Sequence, residues 1–138
     1  FVDRHPSTRQ LLERLGLSDD IISAGNAARR RYIRHQSELH PFPDSPEALK
    51  RTQLLSQRGR TRMQFSPVLP PDHTDRTVSE FAAAHLGKEA AMMLLDPIVA
   101  GIYAGAPDQL SARSVLPQLV GLADRGGRVC DALLGQGQ

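Results

Sequence analysis

The sequence contains few aromatic residues: phenylalanine, tyrosine and tryptophan make up 4% of the 138 residues, and tryptophan is absent. Hydrophobic residues nevertheless reach 40% of the chain, which is enough to bury a core. That core must be built mainly from leucine, isoleucine, valine, alanine and methionine. The scarcity of rings also argues against a single-strand nucleic-acid binder, because such surfaces interleave aromatic and basic side chains.

The single cysteine, Cys130, excludes an internal disulfide bond and is typical of a reducing compartment, so we expect a cytoplasmic protein. We expect Cys130 to be a small buried hydrophobe, since no histidine lies near it in the sequence. No run reaches the roughly 18 apolar residues that a membrane-spanning helix needs. Residues 1–5 contain no secretory h-region, and the chain opens on Phe1 as if cut from something longer.

The common catalytic and metal-binding motifs are also missing. The chain has no G-x-G-x-x-G, P-loop, H-E-x-x-H or C-x-x-C pattern, and no nucleophile is visibly paired with a base. His35 and His40 could face each other across a turn, but ordinary surface histidines are the favoured interpretation, and we predict no metal site. The histidines lack the helical spacing of ligand pairs; they are His5, His35, His40, His73 and His85.

The pattern that is present predicts a mostly α fold with a small β-hairpin (α+β). The length predicts one domain, 1–138, and the formal net charge of +2 does not by itself indicate nucleic acid. Cap residues, prolines and hydrophobic spacing place the hairpin at about 29–43 and the helical part at about 45–134. Within the helical part, the predicted helices cover 45–55, 57–64, 77–86 and 88–95, then a helix opening at Asp96, another at Ser111 and a last piece after Gly127.

A central stretch, Leu94 to Gly105, contains no lysine or arginine and only one acid, Asp96. Asp96 is predicted to cap a helix whose first turn holds Pro97, where the missing N–H costs nothing. Gly101 and Gly105 would then share one face of that helix, because they are four residues apart. Two interpretations stay open: small residues that pack against a neighbouring element, or a backbone that a ligand approaches closely.

Arginines cluster at the start of the predicted hairpin, at Arg29, Arg30, Arg31 and Arg34. Strand alternation would place Arg31 with Ile33 and His35 on one face. A guanidinium binds carboxylate or phosphate through paired hydrogen bonds, while the plain alternative is a solvated basic edge that discourages strand pairing. A second basic group at residues 58, 60 and 62 could rest on an anionic surface. The alternative function is therefore a stand-alone helical module that binds anionic partners.

Three stretches of the sequence follow the order of motifs in a known enzyme family. They are Leu15 to Asp20 with Arg31-Tyr32-Ile33 and Leu39 to Pro43; Thr77 to Phe81 with His85 to Ala90; and Asp96 to Gly105 with Pro107, Leu110-Ser111, Arg113 and Leu116-Pro117. These residues resemble the oxygen-dependent, FAD-containing protoporphyrinogen (coproporphyrinogen) oxidase family. Ala106 stands where the family usually has aspartate, which weakens a turn cap.

The resemblance implies the middle, substrate-binding helical portion of a flavin amine-oxidase-like enzyme of haem biosynthesis. The FAD-binding portions are absent from the chain, so we expect the fragment alone to bind no FAD and to be inactive. The complete enzyme would oxidise protoporphyrinogen IX or coproporphyrinogen III with oxygen, and the many arginines lean towards the latter. The hydride would pass to the flavin, so the resemblance requires no catalytic side chain in this region.

The resemblance also implies the substrate-binding residues: Arg31 for a propionate, Gly101 beside the pyrrole nitrogens, and Tyr103 and Gly105 on the same wall. The partners it implies are the porphyrinogen and the FAD-binding domain of the same enzyme. Membrane-bound members of the family place membrane-facing helices here, so peripheral membrane contact is an alternative to an unattached protein. The apolar surface that normally packs on the FAD domain could drive self-association.

Overall fold

The computed structural model describes residues 6–135, apart from the side chain of Arg29. Residues 1–5, with His5, lie outside the described residues. Within the described range the chain forms helices and one two-stranded antiparallel sheet, which confirms the predicted fold class. The elements are α1 (Pro6–Arg14), β1 (Tyr32–His35), β2 (Glu38–Pro41), α2 (Pro46–Arg51), α3 (Gln57–Gln64), α4 (Val78–Leu86), α5 (Lys88–Ala90), α6 (Asp96–Tyr103), α7 (Ala112–Val115), α8 (Pro117–Asp124) and α9 (Val129–Leu134).

The chain divides into two compact units, Phe1–Arg30 and Arg31–Gln138. The first unit contains α1 and two short 3₁₀ helices, Ser18–Asp20 and Asn26–Arg29. Gly16 follows α1 with φ +69°, the left-handed conformation in which glycine is favoured as a helix stop. The second unit contains all the remaining elements and the hydrophobic core.

The hairpin is shorter than predicted at its first strand. β1 begins at Tyr32 instead of about residue 29, and Arg29 ends a 3₁₀ helix, Asn26–Arg29, instead of starting an extended run. The last ladder bond joins the Phe42 N–H to the Arg31 carbonyl at 2.8 Å, and Pro43 has no N–H to continue the ladder. The predicted alternation is confirmed within the strand: Ile33 is buried, whereas Tyr32 is exposed.

The core of the second unit is aliphatic, as the composition predicts. Its least exposed large side chains are those of Leu49, Met63, Leu86 and Leu94, each at 2% exposure or less. A smaller cluster joins α4, α6 and α7 through the buried side chains of Val78, Val99 and Val115. Cys130 is buried in the core as predicted, and burial raises the pKa of its thiol. None of the helices among the described residues is long and apolar enough to cross a membrane.

Most predicted helix boundaries in the second unit are confirmed. Thr77 and Glu80 form the predicted capping box of α4, and Ser111 caps α7 by accepting from the Ser114 N–H. Helix α2 is an exception: it ends at Arg51 instead of Leu55. The hydroxyl of Thr52 accepts from the Leu54 N–H at 3.2 Å and so replaces helical bonding by a local turn.

Glu89 caps helix α3 from another part of the chain. Its carboxylate accepts from the Ser56 N–H at 2.5 Å and from the Ser56 hydroxyl at 2.7 Å, while that hydroxyl accepts from the Gly59 N–H at 3.0 Å. A Cβ at Gly59 would collide with the Glu89 carboxylate. Gly59 therefore makes room for this long-range cap, although by itself it weakens the helix.

We expect Gly59→Ala to destabilise the fold by up to about 1 kcal/mol, because displacing the charged cap of α3 costs about 1–2 kcal/mol while alanine recovers about 0.5–1 kcal/mol in the helix. Gly121→Ala in α8 is the matched control, since a Cβ there meets only Arg125 Nη1 at 3.4 Å. That control should be neutral or stabilising by up to about 1 kcal/mol. Urea unfolding of both variants measures the difference, and equal stabilisation by the two would contradict the role given to Gly59.

A π-helical turn, Ala91–Leu95, joins α5 to α6 without a break. The prediction that Asp96 is an N-cap is therefore wrong: Asp96 has φ −58° and ψ −46°, inside a helix that runs from Lys88 to Tyr103. Its N–H donates to the Ala91 carbonyl, five residues back. Pro97 has no N–H to donate, and its ring would clash with the carbonyl four residues earlier in a regular α-helix. The wider turn relieves that clash.

Candidate functional site

The exposed side of α6 is uncharged and open. Pro97, Ala100 and Gly101 are exposed along it, and Ile102 is 67% exposed. Val99, on the opposite side, is 1% exposed and packs against Val78 and Val115. The helix therefore has one buried side and one smooth side that no described residue covers.

Gly101 has no packing role within the described chain. A Cβ built at this position would meet nothing within 4 Å. The interpretation that Gly101 packs against a neighbouring element is therefore wrong within the described residues. A glycine inside a helix costs about 0.5–1 kcal/mol relative to alanine, and nothing in the described fold offsets that cost. Open space at this position leaves room for a partner to approach the backbone of the helix closely.

The Gly101 carbonyl is also an available hydrogen-bond acceptor. It lies in the last turn of α6, where carbonyl groups lack helical partners and carry the negative end of the helix dipole. The Ala104 N–H bonds to the Ala100 carbonyl at 2.9 Å, and no backbone N–H among the described residues donates to Gly101. This end of α6 thus presents an acceptor on a flat surface.

Tyr103 and Gly105 hold the end of α6 in place. The Tyr103 hydroxyl donates to the Val115 carbonyl at 3.0 Å, which ties α6 to α7. Ala104 follows in the left-handed conformation with φ +51°. A Cβ at Gly105 would approach Leu110 to 3.1 Å, so Gly105 has a packing role that Gly101 lacks.

Asp96 fastens the other end of α6 to α4. Its Oδ1 accepts from the Ser79 hydroxyl at 3.3 Å. Burial raises the pKa of Asp96; the hydrogen bond from Ser79 opposes this rise and the charge of Asp108 adds to it. Asp96 therefore links α6 to α4 through its side chain instead of capping a helix.

Arg31 lies at the base of the hairpin, while Gly101, Tyr103 and Gly105 lie together at the end of α6. The Arg31 side chain is exposed and makes no hydrogen bond or ion pair with any described residue. Its guanidinium is available to an anionic group.

The second basic group, at residues 58, 60 and 62, is partly structural. Arg60 Nη1 donates to the Thr52 carbonyl at 2.8 Å, and Arg62 Nη2 donates to the Ala84 carbonyl at 3.1 Å. Only Arg58 of the three lacks such a bond among the described residues. This use of the guanidinium groups argues against an anion-binding face on α3.

The described residues contain no group of three or more His, Cys, Asp or Glu side chains that could hold a metal ion. The rings of His35 and His40 do come close across the hairpin, with centroids 6.2 Å apart. His40 Nε2 lies 4.0 Å from a Glu38 carboxylate oxygen.

A cleft of about 380 Å³ between segment 69–76 and helices α4, α7 and α8 was not predicted from the sequence. Arg113 Nη2 donates to the Asp72 carbonyl at 2.6 Å, and Arg113 Nη1 lies 3.1 Å from Asp124.

A second arginine at this cleft, Arg76, pairs with the Asp72 carboxylate at 2.5 Å. Hydrogen bonds from Thr74 lower the pKa of Asp72 to about 2, and Arg76 adds to this. Arg76 and Arg113 each have an aspartate partner. These ion pairs therefore hold the proline-rich segment 69–76 against the helices, and they leave neither guanidinium open to a ligand. The i,i+4 spacing of Asp72 and Arg76 was its one signal in the sequence.

His85 borders this cleft and packs against Phe81 with ring centroids 4.4 Å apart. Burial lowers the pKa of His85 below its ordinary value of 6.5, and the charges of Arg76 and Arg62 lower it further. The folded state therefore binds this proton less readily than the unfolded state. The part of the stability that depends on a neutral His85 is fully present above pH 6.5. It is lost as the pH falls towards the pKa that His85 has in the folded state.

We expect the free energy of unfolding to decline as the pH falls through 6.5, the ordinary pKa of histidine, towards the lowered pKa of His85. The variant His85→Gln should flatten this decline, because it removes the titrating ring. His73→Gln, at an exposed position, should leave the decline unchanged. Urea unfolding at several pH values measures the slopes, and an unchanged slope in His85→Gln would show that another group titrates.

The whole chain, residues 1–138, matches the family described as flavin containing amine oxidoreductase. It is 33% identical to coproporphyrinogen III oxidase of Bacillus subtilis, over 86% of this chain and 27% of that protein. It is 30% identical to a chloroplastic protoporphyrinogen oxidase of Oryza sativa, over 83% of this chain and 22% of that protein. A crystal structure from Exiguobacterium shares the fold with a TM-score of 0.77 and 24% identity, covering 94% of this chain and 31% of that one. The chain thus spans about a quarter of the length of these curated relatives.

Proposed function

The chain belongs to the family of flavin-containing amine oxidoreductases, and on that premise we propose that it is the substrate-facing helical segment of a porphyrinogen oxidase. The observation that carries the proposal is Gly101, an exposed helical glycine with open space where a Cβ would stand. A flat macrocycle can lie directly against such a helix. The relatives that are 30–33% identical to this chain include coproporphyrinogen III oxidases and a protoporphyrinogen oxidase.

The chemistry of a porphyrinogen fits the groups that the chain presents. Its pyrrole N–H groups are donors, and the Gly101 carbonyl is an acceptor at the negative end of α6. Its propionates are carboxylates at the rim, and the free guanidinium of Arg31 is suited to paired hydrogen bonds with one of them. The uncharged side of α6 suits the apolar faces of the macrocycle.

The described residues of this chain do not form a cradle for the flavin. A dinucleotide is held at a glycine-rich turn between a strand and a helix of a parallel sheet. The described residues contain a single antiparallel pair of strands, and the sequence has no G-x-G-x-x-G pattern. The proposal therefore assigns to this chain only the binding and orientation of the porphyrinogen.

We further propose coproporphyrinogen III as the preferred substrate, because it has more propionates than protoporphyrinogen IX and the chain carries many arginines, which are suited to pairing with them. The test is the rate of porphyrin fluorescence gain by the intact flavoprotein with each porphyrinogen. We expect kcat/KM to be at least about tenfold higher for coproporphyrinogen III, the worth of one additional charge-assisted hydrogen bond. Equal values would remove the preference, and no oxidation of either substrate would overturn the proposed function.

A further inference from the structure

The π-turn between α5 and α6 decides which way Gly101 faces. The interval from Ala90 to Gly101 is about three full turns of a regular α-helix. Ala90 is 1% exposed, so an uninterrupted helix of the same length would direct Gly101 towards the core. The observed Gly101 is exposed instead. One extra residue in the π-turn rotates everything after it by about 100°.

The two halves of the helix bury separate stripes. Before and within the turn, the buried residues are Ala90, Ala91, Leu94 and Leu95, all at 3% exposure or less. After it, Val99 packs into the cluster with Val78 and Val115. The buried positions Ala91, Leu95 and Val99 follow one another at intervals of four residues, which is longer than the 3.6 of a regular helix. The wide turn removes the mismatch, so both stripes stay buried.

Three contacts fix the register of the second half. They are the Ser79 hydroxyl on Asp96 at 3.3 Å, the packing of Val99, and the Tyr103 hydroxyl on the Val115 carbonyl at 3.0 Å. Pro97 makes the regular alternative costly, because its ring would meet the Met93 carbonyl.

We propose that the π-turn is a register adapter, and that Asp96, Val99 and Tyr103 are positioning residues that keep Gly101 on the open side of α6. The importance of this placement for turnover rests on the proposed function; the placement itself does not. None of these residues needs to touch the porphyrinogen through its side chain for the adapter to work.

The test is the rate of thiol labelling at Gly101→Cys in the intact flavoprotein, read by mass spectrometry of the peptide that contains residue 101. The buried Cys130 in the same molecule is the slow internal reference. We expect the new thiol to react about tenfold faster or more than Cys130, because its site needs no local unfolding. A rate equal to that of Cys130 would overturn the proposal.

A single-residue deletion added to Gly101→Cys then separates the adapter from an ordinary helix. Deletion of Met92, combined with Pro97→Ala, removes the extra residue and permits a straight helix with both stripes still buried. Labelling should stay fast, with the flavin bound.

Slow labelling or unfolding in the Met92 deletion would overturn the adapter. If labelling follows the expected pattern but Gly101→Val keeps full turnover, the proposed function fails while the adapter stands. A porphyrin that protects Gly101→Cys from labelling would support both.

Discussion

Replacing Gly101 with valine is expected to abolish porphyrinogen oxidation by the intact enzyme while the flavin stays bound. The side chain would stand on the open side of α6, where the macrocycle is proposed to lie. Displacing a reacting ring by about 1 Å costs on the order of 100-fold in rate, and a valine displaces it further. We therefore expect kcat/KM to fall at least about 100-fold, measured by porphyrin fluorescence.

The fold should tolerate this change, which makes the loss of turnover diagnostic. Nothing lies within 4 Å of a Cβ at this position, and valine is no worse than glycine in a helix. Gly101→Ala should raise stability by about 0.5–1 kcal/mol and still lower kcat/KM, whereas Gly121→Ala should leave kcat/KM unchanged. Full activity in Gly101→Val would show that no substrate approaches this side of α6.

Replacing Arg31 with alanine is expected to raise KM for the porphyrinogen by about 10- to 100-fold. A hydrogen bond between charged groups is worth about 1.5–3 kcal/mol, and the Arg31 guanidinium has no other partner among the described residues. Because the propionate is remote from the reacting carbons, kcat should change much less than KM. Initial rates over a range of porphyrinogen concentrations separate the two constants.

Arg34→Ala is the matched control for this change. Arg34 is also exposed, but three residues along β1, so its side chain points to the other face of the hairpin. Its KM effect should be clearly smaller than that of Arg31→Ala. Arg31→Lys should recover part of the affinity, since lysine keeps the charge but loses the paired geometry. An unchanged KM in Arg31→Ala with both porphyrinogens would end the assignment of Arg31 to a propionate.

Local signals were sufficient for most of the fold. The capping box at Thr77 and Glu80, the serine caps at Ser56 and Ser111 and the glycine stop at Gly87 act within a few residues, so the sequence displays them directly. The hairpin turn at Gln36 and Ser37 was harder to recognise. Both residues have φ above +45°, a conformation for which asparagine and glycine are the usual signal.

Interactions between distant residues were not predictable from spacing. The cap that Glu89 places on α3 joins residues far apart in the chain, and it explains a glycine that looked unfavourable in its helix. The bonds of Arg60 and Arg62 to backbone carbonyls likewise depend on how α3 packs. A basic cluster in a sequence does not reveal which of its charges the fold already uses.

The sequence by itself determined most of the caps and breaks of the helices, the aliphatic core, the family and the choice of Gly101 and Arg31 as candidates. Only the tertiary structure decided which way Gly101 faces. The direction of a helical residue depends on every residue between it and the nearest buried anchor, and one extra residue in a π-turn rotates the rest by about 100°. Asp96 and Pro97 look like the start of a new helix in the sequence. In the folded chain they lie inside a continuous helix, because packing on both sides of the turn outweighs the local signal.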